Sequence, residues 1–436
     1  MIATQPPARD WKQIPLFAQV SDEEWNDYRW QLRHRLTSVE EFEQVLHLSE
    51  QQIADLEATL GKFRVAVTPY YASLMDPDDP RCPVRMQGVP SPAELVVHEE
   101  DLEDAIAETV DSPTANLTHR YPDRVLFVVT EMCSMYCRHC TRRRIVGGHE
   151  SIASKEVIDD AITYIARNRE VRDVLISGGD PLVHSDAQLE DILRRIRAIE
   201  HVEIIRIGSR MPVVCPQRIT PELCEMLRRY HPLYFNTQFN HPREITPDSE
   251  AACAMLADAG INLGNQSVLL RGINDCAHVM KKLVRGLVRI RVKPYYYYQC
   301  DLAMGTNHFR TSVAKGIEIY ESLRGHTTGF AVPVYIIDAV GGGGKVPVLP
   351  SYLISQAEHQ VILRNYEGVI SKYTEPDDYI DGECRCEECE TARVRRGVAG
   401  LFDVPSPTLD DVWAARMQKV IDRKNIMADR HGPIES

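Results

Sequence analysis

The stretch Cys133-Ser134-Met135-Tyr136-Cys137-Arg138-His139-Cys140 carries three cysteines at C-x3-C-x2-C spacing, between an apolar run at 125–129 and the basic run Arg142-Arg143-Arg144. A chain with 12 cysteines among 436 residues would show such a triple by chance only about 0.01 times. The spacing therefore reads as a ligand set. A four-iron cluster ordinarily takes four Cys ligands, so three thiolates leave one iron open to a small molecule. Such a cluster is a reaction site as well as an electron store. The competing readings are a structural zinc site, with His139 as fourth ligand, and plain buried thiols.

Working outward, β-branched runs at 125–129, 174–177, 204–207, 233–236, 266–270, 289–292 and 332–337 alternate with amphipathic segments. The segments lie near 154–168, 186–198, 221–230, 247–259, 276–288 and 312–324. The alternation predicts repeated βα units, hence a parallel sheet or barrel with helices on one outer face. Reactive groups in such a sheet gather where the βα loops converge, at the C-terminal strand ends, and the cysteine stretch follows the first strand directly. A full eight-stranded barrel is the alternative. Residues 1 to about 120 lack strand periodicity and read as helical, with capping-box patterns at Thr37-Ser38-Val39-Glu40 and Ser49-Glu50-Gln51-Gln52. Proline breaks at 76–80 and 90–92 divide that region, which shows no catalytic pattern and is expected to serve packing or subunit contacts.

Composition narrows the class. A 44% hydrophobic content supplies a core for one large or two modest domains. The net charge of −13 argues against a nucleic-acid partner. No apolar stretch is long enough to span a membrane. The N-terminus has no apolar signal core, so the cytoplasm is expected, where cysteines serve as metal ligands or reduced thiols.

Other motifs carry chemistry. Ser177-Gly178-Gly179-Asp180-Pro181 follows the second strand; adjacent glycines allow close approach to the backbone and offer N–H groups, although a plain turn reads the same. Gly341-Gly342-Gly343-Gly344-Lys345 is not a phosphate-binding P-loop, because Val346 follows the lysine. Four consecutive glycines suggest a flexible loop or close ligand approach. Lys345 then reads either as a solvated phosphate contact or as a Schiff-base lysine for pyridoxal phosphate. Asp301 and Asp338 both follow β-like runs, and the tyrosines of 295–298 lie close by. Cys384, Cys386 and Cys389 form a C-x-C-x2-C trio that lacks the fourth ligand of a closed zinc site; a second iron–sulfur cluster is the alternative. Cysteines 82, 215, 224, 253 and 300 read as core residues.

With these residues in view, the chain from about 18 to 402 resembles the lysine 2,3-aminomutase family of radical S-adenosylmethionine, pyridoxal phosphate-dependent enzymes. The resemblance implies a partial (β/α)6 barrel at 121–345 with the pyridoxal phosphate site, a helical region at 1–120, and a zinc-binding, oligomer-forming region at 346–436. It implies that Cys133, Cys137 and Cys140 hold a [4Fe-4S] cluster whose open iron chelates S-adenosylmethionine. Gly178, Gly179 and Asp180 would meet the amino group of S-adenosylmethionine. It makes Lys345 the pyridoxal phosphate lysine, Arg120 a phosphate contact (with Arg124 nearly as suitable), and Arg142 the partner of the substrate α-carboxylate. Asp301 and Asp338 would hold a substrate side-chain cation. The Cys384 trio would bind zinc with Cys276 of a neighbouring subunit, making a homo-oligomer.

The implied reaction exchanges hydrogen and the amino group between C2 and C3 of a basic amino acid, with an external reductant. L-Lysine giving L-β-lysine is the first expectation and L-arginine the second; an acidic side chain would be repelled by two carboxylates. Met211, Gln238 and Val340 depart from the family's threonine, histidine and proline, and are expected around the pocket. A radical RNA-modifying enzyme or an iron–sulfur electron carrier would leave the glycine–lysine loop without a purpose.

Overall fold

Nine strands hydrogen-bond in chain order: β1 (Leu117–Tyr121), β2 (Arg124–Val128), β3 (Asp173–Ser177), β4 (Ile204–Gly208), β5 (Leu233–Thr237), β6 (Asn262–Leu269), β7 (Lys293–Gln299), β8 (Val334–Ala339) and β9 (Gly344–Pro347). Strands β2 to β8 are parallel, whereas β1 and β9 pair antiparallel at the two edges. Helices Lys155–Arg167, Asp186–Arg197, Pro221–Arg228, Pro247–Asp258, Ala277–Arg289 and Val313–Leu323 occupy the six crossovers. Six βα units and a seventh parallel strand form the expected partial (β/α)6 barrel, open between β1 and β9, in place of a closed eight-stranded ring. This computed structural model describes residues 9–146, 151–357 and 359–376, with 414, 417, 418 and 421.

Strand alternation sets the layers. Val125 and Phe127 of β2 are buried, while Leu126 between them faces the barrel interior. Ser154, Ser185, Thr220, Thr246 and Ser312 cap their helices by accepting a backbone N–H in the first turn. The remaining helix, fifth in chain order, begins after Cys276, whose thiol makes no capping bond.

Two local expectations shift. The run at 289–292, expected as a strand, is the end of a helix and the turn after it, with Arg291 at φ 62°. Ile290 and Val292 are buried while Arg289 and Arg291 are exposed, so a helix end and turn carry the alternation of a half-buried strand, and the strand is instead the tyrosine run that follows. The first capping box is Ser38 with Glu41, one residue later than expected, while the Thr37 N–H also donates to Glu41 at 2.7 Å. The Ser49–Gln52 box forms as read.

One compact unit runs to Leu349 and a second begins at Pro350. The division expected at 120 falls inside the first unit. The described part of the second unit holds a three-stranded antiparallel sheet, β10 (Leu353–Ala357), β11 (Gln360–Arg364) and β12 (Ile370–Thr374). Cysteines 82, 215, 224, 253 and 300 are buried and free. Among the described residues, no helix is long and apolar enough to cross a membrane.

Candidate active site

The cysteine stretch leaves β2 and runs over the open end of the barrel, above a cavity of about 810 Å³. Beside it runs the loop after β3. Gly179 N–H donates to the Thr130 carbonyl and Asp180 N–H to the Met132 carbonyl, both at 2.7 Å. A Cβ on Gly178 would lie 2.3 Å from the Thr130 oxygen, and one on Gly179 2.1 Å from the Met132 oxygen. Gly178 also sits at φ 152°. These glycines therefore admit the backbone of the cysteine loop, and the N–H groups of Gly179 and Asp180, expected to be open to a ligand, are engaged by that loop. The Asp180 carboxylate accepts from Ser209 Oγ at 2.7 Å, Arg210 N–H at 2.9 Å and Leu182 N–H at 3.0 Å. Burial pushes this carboxyl up to about 6 against those hydrogen bonds.

The N-terminal region, expected to serve packing or subunit contacts, holds the same loop from the other side. Arg35 donates to the Cys133 carbonyl. Tyr136 N–H donates to Ala66 O at 2.9 Å and Arg138 N–H to Gln87 O at 3.0 Å. Buried Glu94 receives both Arg138 and Arg143 at 2.6 Å, which satisfies three charges away from water. Lys62, Phe63, Arg64 and Glu108 of this region also line the cavity. Glu94 carries the local signal of a Ser91–Glu94 capping box, while Glu108 belongs to no such motif, and neither signal points to the arginine it meets.

Cys133, Cys137 and Cys140 all line the cavity. Burial, followed by Asp180 and the neighbouring thiols, pushes the Cys133 thiol well up, and burial with Cys137 raises Cys140. Arg210 Nη1 lies 2.8 Å from Cys137 Sγ. His139 Nε2 is 3.0 Å from the Gln238 side-chain nitrogen and 3.3 Å from that of Asn240, so amides occupy it. Among the described residues no three His, Cys, Asp or Glu groups converge on one point. With His139 Nε2 taken by two amides, three thiols of one loop facing one cavity suit a cluster, in which each thiolate takes its own iron, better than a zinc ion with His139.

The other half of the cavity is built by β7, β8 and β9. In the β8–β9 hairpin Asp338 pairs with Lys345 and Ala339 with Gly344. Gly341, Gly342 and Gly344 have φ of 69°, 75° and 87°, so the glycine run makes a tight turn in the left-handed region and is not a loose loop. The turn sets Lys345 Nζ 3.1 and 3.2 Å from the two Asp338 carboxylate oxygens, and 5.2 Å from the Tyr298 ring centroid. Asp301 lines the same wall, its carboxyl pushed up to about 7 by burial and then by Asp338. Tyr295, Tyr296 and Tyr298 face the cavity, whereas Tyr297 is buried against Tyr335, ring centroids 4.7 Å apart.

The structure brings together Cys133, Cys137, Cys140, Arg120, Arg142, Gly178, Gly179, Asp180, Asp301, Asp338 and Lys345 around this cavity. Two of the arginines are already paired: Arg142 with Glu108 at 2.7 Å, and Arg120 with Asp111 at 2.7 Å and with the Ile106 carbonyl. Cys276 is exposed, away from the cavity lining. Cys384, Cys386 and Cys389 lie outside the described residues. Of the three departures expected around the pocket, only Gln238 lines it; Met211 is fully buried and Val340 is 59% exposed.

An open parallel barrel with a three-cysteine loop at its first strand end defines a radical S-adenosylmethionine enzyme, and the Radical SAM superfamily matches residues 127–283. Lysine-2,3-aminomutase, as a family, matches residues 320–424. The chain is 59% identical to an L-lysine 2,3-aminomutase of Fusobacterium nucleatum, over 85% of this chain and 88% of that one. It is 55% identical to the L-lysine 2,3-aminomutase of Clostridium subterminale, over 94% and 98%. It is 48% identical to a glutamate 2,3-aminomutase of Clostridioides difficile, over 81% and 83%. The chain belongs to the lysine 2,3-aminomutase family: it is an isomerase that moves an amino group between C2 and C3 of a small-molecule substrate, using S-adenosylmethionine, a [4Fe-4S] cluster and a reductant.

Proposed function

We propose that this aminomutase acts on L-lysine, giving L-β-lysine, with pyridoxal phosphate on Lys345. The observation that carries the reading is the pair Asp301 and Asp338 on the cavity wall beside Lys345. Two carboxylates at the far end of the site attract an ammonium or guanidinium and repel the side chain of glutamate, the substrate named for one relative. The residues fit pyridoxal phosphate: a primary amine lies near the Tyr298 ring, and Arg120, Arg124 and Arg206 line the same cavity. They fit the cluster through three thiols on one loop.

When bound, the cluster with S-adenosylmethionine supplies a radical that takes hydrogen from C3, and pyridoxal phosphate supplies the π-system across which nitrogen migrates. The chain supplies position. Cys133, Cys137 and Cys140 would hold three irons, and the loop of Gly178, Gly179 and Asp180 would meet the amino group of S-adenosylmethionine. Arg142, oriented by Glu108, offers its remaining donors to the substrate α-carboxylate, while Arg120 faces the phosphate. Asp301 and Asp338 fix the distal cation so that C3 is the carbon presented. Cys276, exposed at a helix start, would be the fourth zinc ligand beside Cys384, Cys386 and Cys389 of a neighbouring subunit, which would make a homo-oligomer.

The test is an anaerobic assay of L-lysine, L-arginine, L-ornithine and L-glutamate with S-adenosylmethionine, pyridoxal phosphate and dithionite, products being separated against β-amino standards. L-Lysine is expected to give the highest kcat/KM. Preference for L-arginine moves the reading to the guanidinium substrate, and preference for L-glutamate overturns it. Borohydride reduction and peptide mapping should find the pyridoxyl group on Lys345.

A further inference from the structure

The position of Lys345 raises a question of occupancy. Its ammonium sits on both carboxylate oxygens of Asp338, at 3.1 and 3.2 Å, and that is the one ion pair Asp338 makes among the described residues. Asp338 is Lys345's cross-strand partner, and glycines at positive φ close the turn between them, so the contact follows from the backbone register. Asp301 faces the same space and carries no ion pair among the described residues. The subsite thus holds two carboxyl groups and one lysine ammonium, the same set of groups it would have with a substrate cation in place of the lysine. The groups around it are Tyr296 and Tyr298 on β7, Arg124 on β2 and Tyr121 on β1; the Tyr121 hydroxyl accepts the Lys345 backbone N–H at 2.9 Å.

We propose that Lys345 Nζ is an internal occupant of the substrate's side-chain cation subsite, so that a basic substrate and the free lysine ammonium compete for Asp338. The inference rests on the reading of Asp301 and Asp338 as that subsite. In the cofactor-free chain the ammonium occupies both oxygens of Asp338, which ties the Lys345 side chain down on that carboxylate. Engagement of Lys345 by the cofactor aldehyde withdraws the amine and leaves Asp338 for the substrate. Cofactor binding therefore completes the substrate site. Because coupling is reciprocal, a cation placed against Asp338 releases the Lys345 side chain from that carboxylate. Asp338 is in this respect a positioning residue for the cofactor lysine as well as a substrate contact.

The experiment is competitive acetylation of the cofactor-free full-length protein with trace acetic anhydride, reading the Lys345 peptide by mass spectrometry against exposed Lys155. Asp338→Asn should raise Lys345 labelling roughly threefold or more at neutral pH, as expected when an ion pair is removed. n-Butylguanidine, a cation without an amine to consume reagent, should raise it in the wild type but not in Asp338→Asn, and sodium chloride of equal ionic strength should not reproduce the effect. Circular dichroism matching the wild type guards against a misfolded variant; should Asp338→Asn misfold, the n-butylguanidine effect on the wild type decides. Unchanged labelling in a folded Asp338→Asn, or no response of the wild type to n-butylguanidine, overturns the inference. Failure of the functional reading would show separately, as a pyridoxyl group fixed elsewhere than Lys345 or as preference for L-glutamate.

Discussion

Arg142 and Glu108 meet fork to fork: Nε lies 3.0 and 3.1 Å from the two glutamate oxygens, and Nη2 lies 2.7 Å from one of them. Arg142 follows the cysteine loop and Glu108 belongs to the N-terminal region, so the pair ties the two together. Burial opposes ionisation of Glu108, but the guanidinium outweighs it and holds the carboxyl below its ordinary range. Glu108→Gln leaves a largely buried arginine charge half-paired and should cost about 3 kcal/mol. A lowered carboxyl stabilises the fold above its unfolded value and loses that contribution as pH falls through the folded one. The variant should therefore lose stability at neutral pH and show a flatter acid limb, both read by denaturant midpoint. Its KM should rise more than its kcat falls.

Gly178→Ala and Gly179→Ala should each push the cysteine loop away, since the added methyl would lie 2.3 and 2.1 Å from backbone oxygens that cannot swing aside. Anaerobic reconstitution followed by iron analysis should show less iron per chain in either variant while the far-ultraviolet spectrum is retained. Full iron content would mean that the loop tolerates the shift.

Asp301 provides a pH test with a definite sign. Its carboxyl is pushed up to about 7, so the folded chain holds a proton there that the unfolded chain has already released. Stability of the cofactor-free protein should therefore fall as pH rises from about 4 to 7, the window between the ordinary and the raised values. Asp301→Asn should flatten that slope. In turnover, KM for a basic amino acid should fall as pH rises through about 7, because only the ionised carboxylate holds the cation.

Zinc removal provides a fourth test. Cys276→Ala should lower zinc content and oligomer mass together, measured by metal analysis and light scattering. Unchanged zinc with unchanged mass would separate Cys276 from the C-terminal trio.

Much of this molecule was legible in the sequence because its signals are local. Amphipathic periods placed all six barrel helices to within a few residues, since an apolar stripe is a property of nearby residues in the chain. The C-x3-C-x2-C spacing after a β-branched run located the loop over the barrel mouth. The strand at Lys293–Gln299 was missed because the apolar run just before it is buried in a turn, an arrangement that tertiary packing decides. What sequence could not supply were relations between distant segments. Glu94 and Glu108 become buried counter-charges only when the N-terminal helices fold over the cysteine loop. The glycines before Asp180 exist for the backbone beside them, and the four glycines before Lys345 for a turn. Local sequence chose the elements and the reactive side chains. The partners of these buried charges were settled by the tertiary structure, because electrostatic pairing in a buried site depends on distances of a few ångströms between residues 34 to 49 positions apart in the chain.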